Sequence, residues 1–126
     1  MRFDLVLAST AARVRETIGG VQEHFDFGAV IRFEPRMYGA DAETLFSLVR
    51  GMPDEVSAPL LVGHNPGLQR LLLELTHDDS RGYRDRIADK FSTAALAVVE
   101  LPADRWADVA RASGEIAELI FPKELD

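Results

Sequence analysis

Apolar residues in this chain come in short blocks separated by amphipathic stretches, and the alternation runs from one end to the other. Residues 3–8 read as a short buried strand. A helix follows that Ser9 or Thr10 can cap, and its pattern continues to about His24. Residues 29–33, behind Gly28, form a second strand, and residues 42–50 form a helix with Asp41 as N-cap and Gly51 and Pro53 as its stop. Residues 58–62 supply the apolar run of a buried parallel strand. Asn65 suits an N-cap and Pro66 a first helical residue, so a helix over residues 66–75 turns Leu68, Leu71, Leu72 and Leu75 toward the core. The charged residues 77–86 read as a solvated loop or a partly helical segment, whose arginines are candidates to line a substrate entrance. A strand over residues 94–101 ends at Pro102, the pattern around Trp106 fits a short helix or a turn, and a last strand over residues 117–121 stops at Pro122. Strands alternating with helices and no linker predict one α/β domain over residues 1–126, a three-layer α/β/α sandwich on a mostly parallel sheet.

Composition narrows the picture. At 126 residues and 47% hydrophobic content the chain can bury a core but not two. The lack of cysteine excludes a disulfide framework and a thiolate metal site and suits the cytoplasm. The first residues hold no apolar signal-peptide core, and no stretch approaches membrane-spanning length. A net charge of −7, from 14 basic and 21 acidic residues, disfavours nucleic acid and anionic membranes as partners. Any anion pocket must therefore build its own local positive field.

Two positions offer that field. The strand before Gly63-His64-Asn65-Pro66-Gly67 places His64 at a strand's carboxyl end, facing the start of a helix. Ligands of open α/β sheets bind at that edge, and helix starts favour anions. Arg13 falls in the first turn of the first helix, close to the end of the first strand, and its planar fork can grip two oxygens of one phosphoryl group. Arg15 reads as a solvated surface arginine.

These residues carry a resemblance. Asp4-Leu5-Val6-Leu7-Ala8-Ser9 with Ala12-Arg13 and Thr17, then Leu61-Val62-Gly63-His64-Asn65-Pro66-Gly67, resemble the histidine phosphatase superfamily, whose fold is called phosphoglycerate mutase-like. Met37-Tyr38-Gly39-Ala40, and Lys90-Phe91-Ser92-Thr93-Ala94-Ala95-Leu96-Ala97-Val98, are similar to segments of its SixA-type phosphohistidine phosphatases. The resemblance implies a phosphatase acting on a phosphohistidine protein or a small phosphomonoester, without metal or other cofactor. It makes Arg13 and His64 catalytic residues that hold the phosphoryl group, with Asn65 a further phosphate-binding residue.

One departure matters. Superfamily members open on a strand ending in Arg-His, whose histidine accepts the phosphoryl group, and no Arg-His pair occurs in these 126 residues. His24 and His77 follow no strand and read as surface residues, while His64 has no evident neighbour in sequence to orient it as a nucleophile. No general acid is assigned among Glu34, Arg36 and Asp41, the last of which is accounted for as a cap. The family's opening strand lies inside the sheet beside the Gly-His strand, so its lack would expose an edge that invites another chain. Three alternatives follow: an incomplete copy of an ordinary phosphatase, a shortened homologue that is a non-catalytic phosphate-binding or interaction module, or a homodimer that recruits a strand, the last two being compatible.

Overall fold

The computed structural model describes residues 3–22, 30–77, 81–91 and 96–120. Its first strand, β1 (Leu5–Ser9), is central and buried along its whole length. Helix α1 (Ala12–Gln22) crosses to β2 (Val30–Glu34), and α2 (Ala42–Arg50) crosses back to β3 (Pro59–Val62). Among the described residues these strands form a parallel sheet in the order β2-β1-β3, with Leu5 opposite both Val30 and Pro59. The expected end of α1 near His24 lies outside the described residues.

Strand alternation sorts the layers. Val6 and Ala8 face Val14 and Ile18 of α1, whereas Leu7 faces the opposite side and joins Met37, Leu45 and Phe46 beneath α2. Arg15 is not simply solvated: its guanidinium lies over the Phe33 ring at 4.3 Å and its Nε donates to the Thr10 carbonyl, tying α1 to β2. Asp4 fastens the other end of the sheet, its carboxylate accepting from the Ser57 and Ala58 amides at 2.6 and 3.0 Å. Helix α2 has the bounds and cap its sequence announces, with Asp41 accepting from the Thr44 amide at 2.9 Å.

Other expectations need correction. Helix α3 (Gly67–Leu75) begins one residue late, after Pro66, and Asn65 does not cap it. The Asn65 side-chain amide instead donates to the Phe91 carbonyl, drawn away by a partner 26 residues along the chain. Of the two readings of the charged stretch the partly helical one holds: α4 (Tyr83–Asp89) packs Ile87, 0% exposed, against Ile116 and Leu119. Two of its arginines brace backbone: Arg84 donates to the Leu73 carbonyl at 2.9 Å and Arg81 to the Ala117 carbonyl at 3.0 Å. Trp106 opens a single 3-10 turn and donates from Nε1 to the Val56 carbonyl at 2.7 Å.

Strands β4 (Leu96–Glu100) and β5 (Glu115–Ile120) pair antiparallel as a separate two-stranded sheet. The α/β layering holds, but the described strands make two sheets rather than one. That division explains why β3, expected to be buried, is half-buried throughout, and why Leu68 and Leu72 of α3 stay half-buried.

Candidate functional site

A crossover to each side of β1 makes the gap between β1 and β3 the place where the sheet's winding reverses. Loops leaving two such strands diverge to opposite faces and leave a crevice at the carboxyl ends. Ser9 ends β1, and His64 lies two residues beyond the end of β3. Their side chains meet there, with Ser9 Oγ and His64 Nε2 2.8 Å apart. Ser9 Oγ also accepts from the Ala11 amide at 3.2 Å, so one buried hydroxyl ties the start of the α1 segment to the imidazole. The hydroxyl can donate to an unprotonated Nε2 or accept from a protonated one, so the contact survives a change in imidazole charge.

In sequence Ser9 reads only as a possible helix cap, and His64 has no evident partner. The signal was present in a small hydroxyl at a strand end, but its use depends on β1 and β3 being neighbours, and spacing along the chain cannot show that. Arg13 lies in the first turn of α1, on the same edge as Ser9, and its side chain is exposed. Asn65 is exposed, and its amide bond to Phe91 pins the turn that presents His64.

A second wall comes from the segment after β2. Pro35–Met37 forms a 3-10 turn that buries Met37 and leaves Tyr38 68% exposed. The Tyr38 ring meets the His64 ring edge-on, with centroids 6.0 Å apart. Close packing at Gly67 sets this approach: a Cβ there would fall 2.2 Å from the Ala40 carbonyl oxygen, so the start of α3 can lie against the Tyr38 loop only with glycine.

The acidic residues nearby are already engaged. Arg36 donates to Glu34 Oε1 at 2.6 Å, and this bond holds the Glu34 carboxyl below the usual carboxylate range. The Thr44 amide does the same for Asp41. Neither is a proton donor near neutral pH. His77, expected at the surface, is exposed and lies at the other end of α3, where its backbone amide donates to the Gly114 carbonyl at 3.0 Å. His24 lies outside the described residues. Among the described residues no helix is long and apolar enough to cross a membrane, and no group of three or more potential metal-ligating side chains converges.

No family model matches the chain. An uncharacterised protein of Mycobacterium leprae is 34% identical over 96% of the chain and 73% of its own length. A Mycobacterium tuberculosis protein is 35% identical over 84% of the chain, and the match takes in 65% of that relative. The matches thus span about two thirds to three quarters of these curated relatives. Among solved structures, a Nakamurella multipartitia protein named for the phosphohistidine phosphatase SixA superposes with a TM-score of 0.82 at 28% identity, over 97% of this chain and 72% of that one. One from Agrobacterium tumefaciens, named likewise, gives 0.73 at 30% identity over 96% and 69%. The protein histidine phosphatase SixA complexed with tungstate shares the fold, with a TM-score of 0.75 at 20% identity over 100% and 73%.

Proposed function

Because the chain belongs to the SixA-type branch of the histidine phosphatase superfamily, we propose that the edge formed by Ser9, Arg13 and His64 binds a phosphoryl group and supports its hydrolysis. The substrate class is a phosphohistidine protein or a small phosphomonoester. The observation that carries this reading is the 2.8 Å contact between Ser9 and His64 at the reversal point of the sheet, with Arg13 in the first turn of the helix that follows Ser9.

The roles follow from chemistry. The Arg13 guanidinium offers paired N–H donors to two phosphoryl oxygens. With Nε2 held by Ser9, the His64 ring presents Nδ1 to the ligand and hydrogen-bonds a third oxygen. Phosphoryl transfer gains most from positioning and from stabilising charge on those oxygens, which is the work these two side chains do. Asn65 contributes through the turn it holds. Turnover also needs an in-line nucleophile, which superfamily members supply from an Arg-His pair, and no such pair occurs in these 126 residues.

That last fact favours a second reading, a phosphate-binding module without hydrolysis. One set of assays separates the two: turnover of a phosphohistidine protein and of para-nitrophenyl phosphate, alongside calorimetric binding of inorganic phosphate. The phosphatase reading expects turnover of at least one substrate and a loss of about 100-fold or more in His64→Ala. The binding-module reading expects saturable phosphate affinity without turnover, weakened about tenfold or more in Arg13→Ala. Absence of both turnover and binding ends both readings.

A further inference from the structure

Far from the sheet edge, two arginines share one aromatic ring. Arg50 ends α2, at the opposite end of that helix from Asp41 and the Tyr38 loop. Its Nε and Nη2 both donate to the Ala107 carbonyl, at 3.0 and 2.6 Å. That clamp holds residues 107–111 against α2, with Val109 buried in the same apolar cluster as Phe46. Arg111 ends the segment, and its guanidinium lies 5.0 Å from the centre of the Phe46 ring, with that of Arg50 at 5.8 Å. These side chains, with Asp108 and Ala110, border an open cavity of about 390 Å³, a volume within the range of small-molecule sites.

Two like charges gathered on one ring repel each other, and an anion between them relieves the repulsion. The chain has 21 acidic residues, yet neither arginine is ion-paired among the described residues. The ring holds each guanidinium without using its N–H donors. Arg111 makes no hydrogen bond among the described residues, so its whole fork is available. We propose that this cavity is a second anion site, separate from the Ser9–His64 edge, and that it takes a carboxylate. Charge selects that group: two arginines and Asp108 give the lining a formal +1, which balances one carboxylate but not a doubly charged phosphate. The carbonyl end of α2 lies at the same place and disfavours a second negative charge further. Arg111 grips both carboxylate oxygens, and the Nη1 donors of Arg50 reach one of them. A free carboxylic acid and an acidic side chain of a partner protein present the same group.

Sodium benzoate and a capped peptide carrying one glutamate are titrated separately into the 126-residue chain, and the Nε–H resonances of Arg50 and Arg111 are followed. The expected result is a saturable shift of both, and of the amides of residues 107–111, with at least one probe. Arg111→Gln should weaken it about tenfold or more. That variant leaves the Arg50 clamp in place, so the segment keeps its position. Arg105→Gln is the control, since Arg105 is also exposed but pairs with Asp54 at 3.4 Å outside this cavity, and it should bind as wild type does. Benzoate binding alone identifies a free acid as the ligand, and peptide binding identifies a partner's acidic segment. The proposal is overturned by no saturable shift with either probe, by undiminished affinity in Arg111→Gln, or by equal weakening in Arg105→Gln. Inorganic phosphate shifting Arg111 as strongly as the carboxylates do would overturn it too. The His64 resonances report on the phosphoryl edge separately, so either proposal can fail alone.

Discussion

Replacing Ser9 with alanine removes one oxygen from a position that is 0% exposed, without opening the core. That oxygen accepts from the Ala11 amide at 3.2 Å and sits 2.8 Å from His64 Nε2. Each lost hydrogen bond costs about 1 kcal/mol net, so the variant should be about 2 kcal/mol less stable and melt roughly 8 °C lower. The functional effect is distinct: a freed imidazole must be reordered when ligand binds, which weakens inorganic phosphate binding by roughly five- to tenfold. Thr76→Val is the matched control. Thr76 is also buried, donates to the Leu72 carbonyl at 2.7 Å and accepts from Arg84 at 3.2 Å, but it lies at the far end of α3 from His64. Thermal melts followed by circular dichroism, with phosphate titrations by calorimetry, should show both variants destabilised and only Ser9→Ala weakened in binding. Equal phosphate affinity in Ser9→Ala and wild type would refute the positioning argument, and equal weakening in both variants would reduce it to general destabilisation.

Gly67→Ala places a Cβ 2.2 Å from a backbone oxygen that cannot rotate away. It should cost about 1–3 kcal/mol by overpacking and disturb the Tyr38–His64 approach, seen as a lowered denaturation midpoint together with weaker phosphate binding. An unchanged midpoint would mean that α3 and the Tyr38 loop do not meet so closely. The carboxyls of Asp4, Glu34 and Asp41 are held below their ordinary range, Asp4 by the Ser57 and Ala58 amides, Glu34 by Arg36 and Asp41 by Thr44. Folding favours their ionised forms, so their stabilisation is complete above about pH 5.5 and is lost as pH falls through the unfolded and then the folded values. Urea midpoints should therefore decline below about pH 5, less steeply in Asp4→Asn than in wild type, and identical declines would contradict the role given to Asp4.

Local chemistry was readable and long-range competition was not. The bounds of α2 follow from Asp41, Gly51 and the apolar spacing between them, because a capped amphipathic helix needs little from the rest of the molecule. The alternation of Val6, Leu7 and Ala8 likewise announced a strand buried on both faces. Asn65 misled because a distant carbonyl, that of Phe91, took the side chain that cap preference assigned to its own helix. Residues 83–89 left loop and helix both open because their polar surface hides one apolar anchor, Ile87, and an arginine, Arg84, whose partner is a backbone carbonyl elsewhere in the fold. Arg13 and His64 could be nominated from strand-end context, whereas the link through Ser9 required knowing that β3 returns beside β1.

The central claim is that His64 and Arg13 share one phosphoryl ligand at the carboxyl edge of β1 and β3. Titrating inorganic phosphate while following the imidazole resonances of His64 and His77 tests it most directly. The account predicts a saturable shift at His64 that disappears in Arg13→Ala, with His77 unmoved. A shift of His64 that persists without Arg13, or one that His77 shares equally, would contradict it.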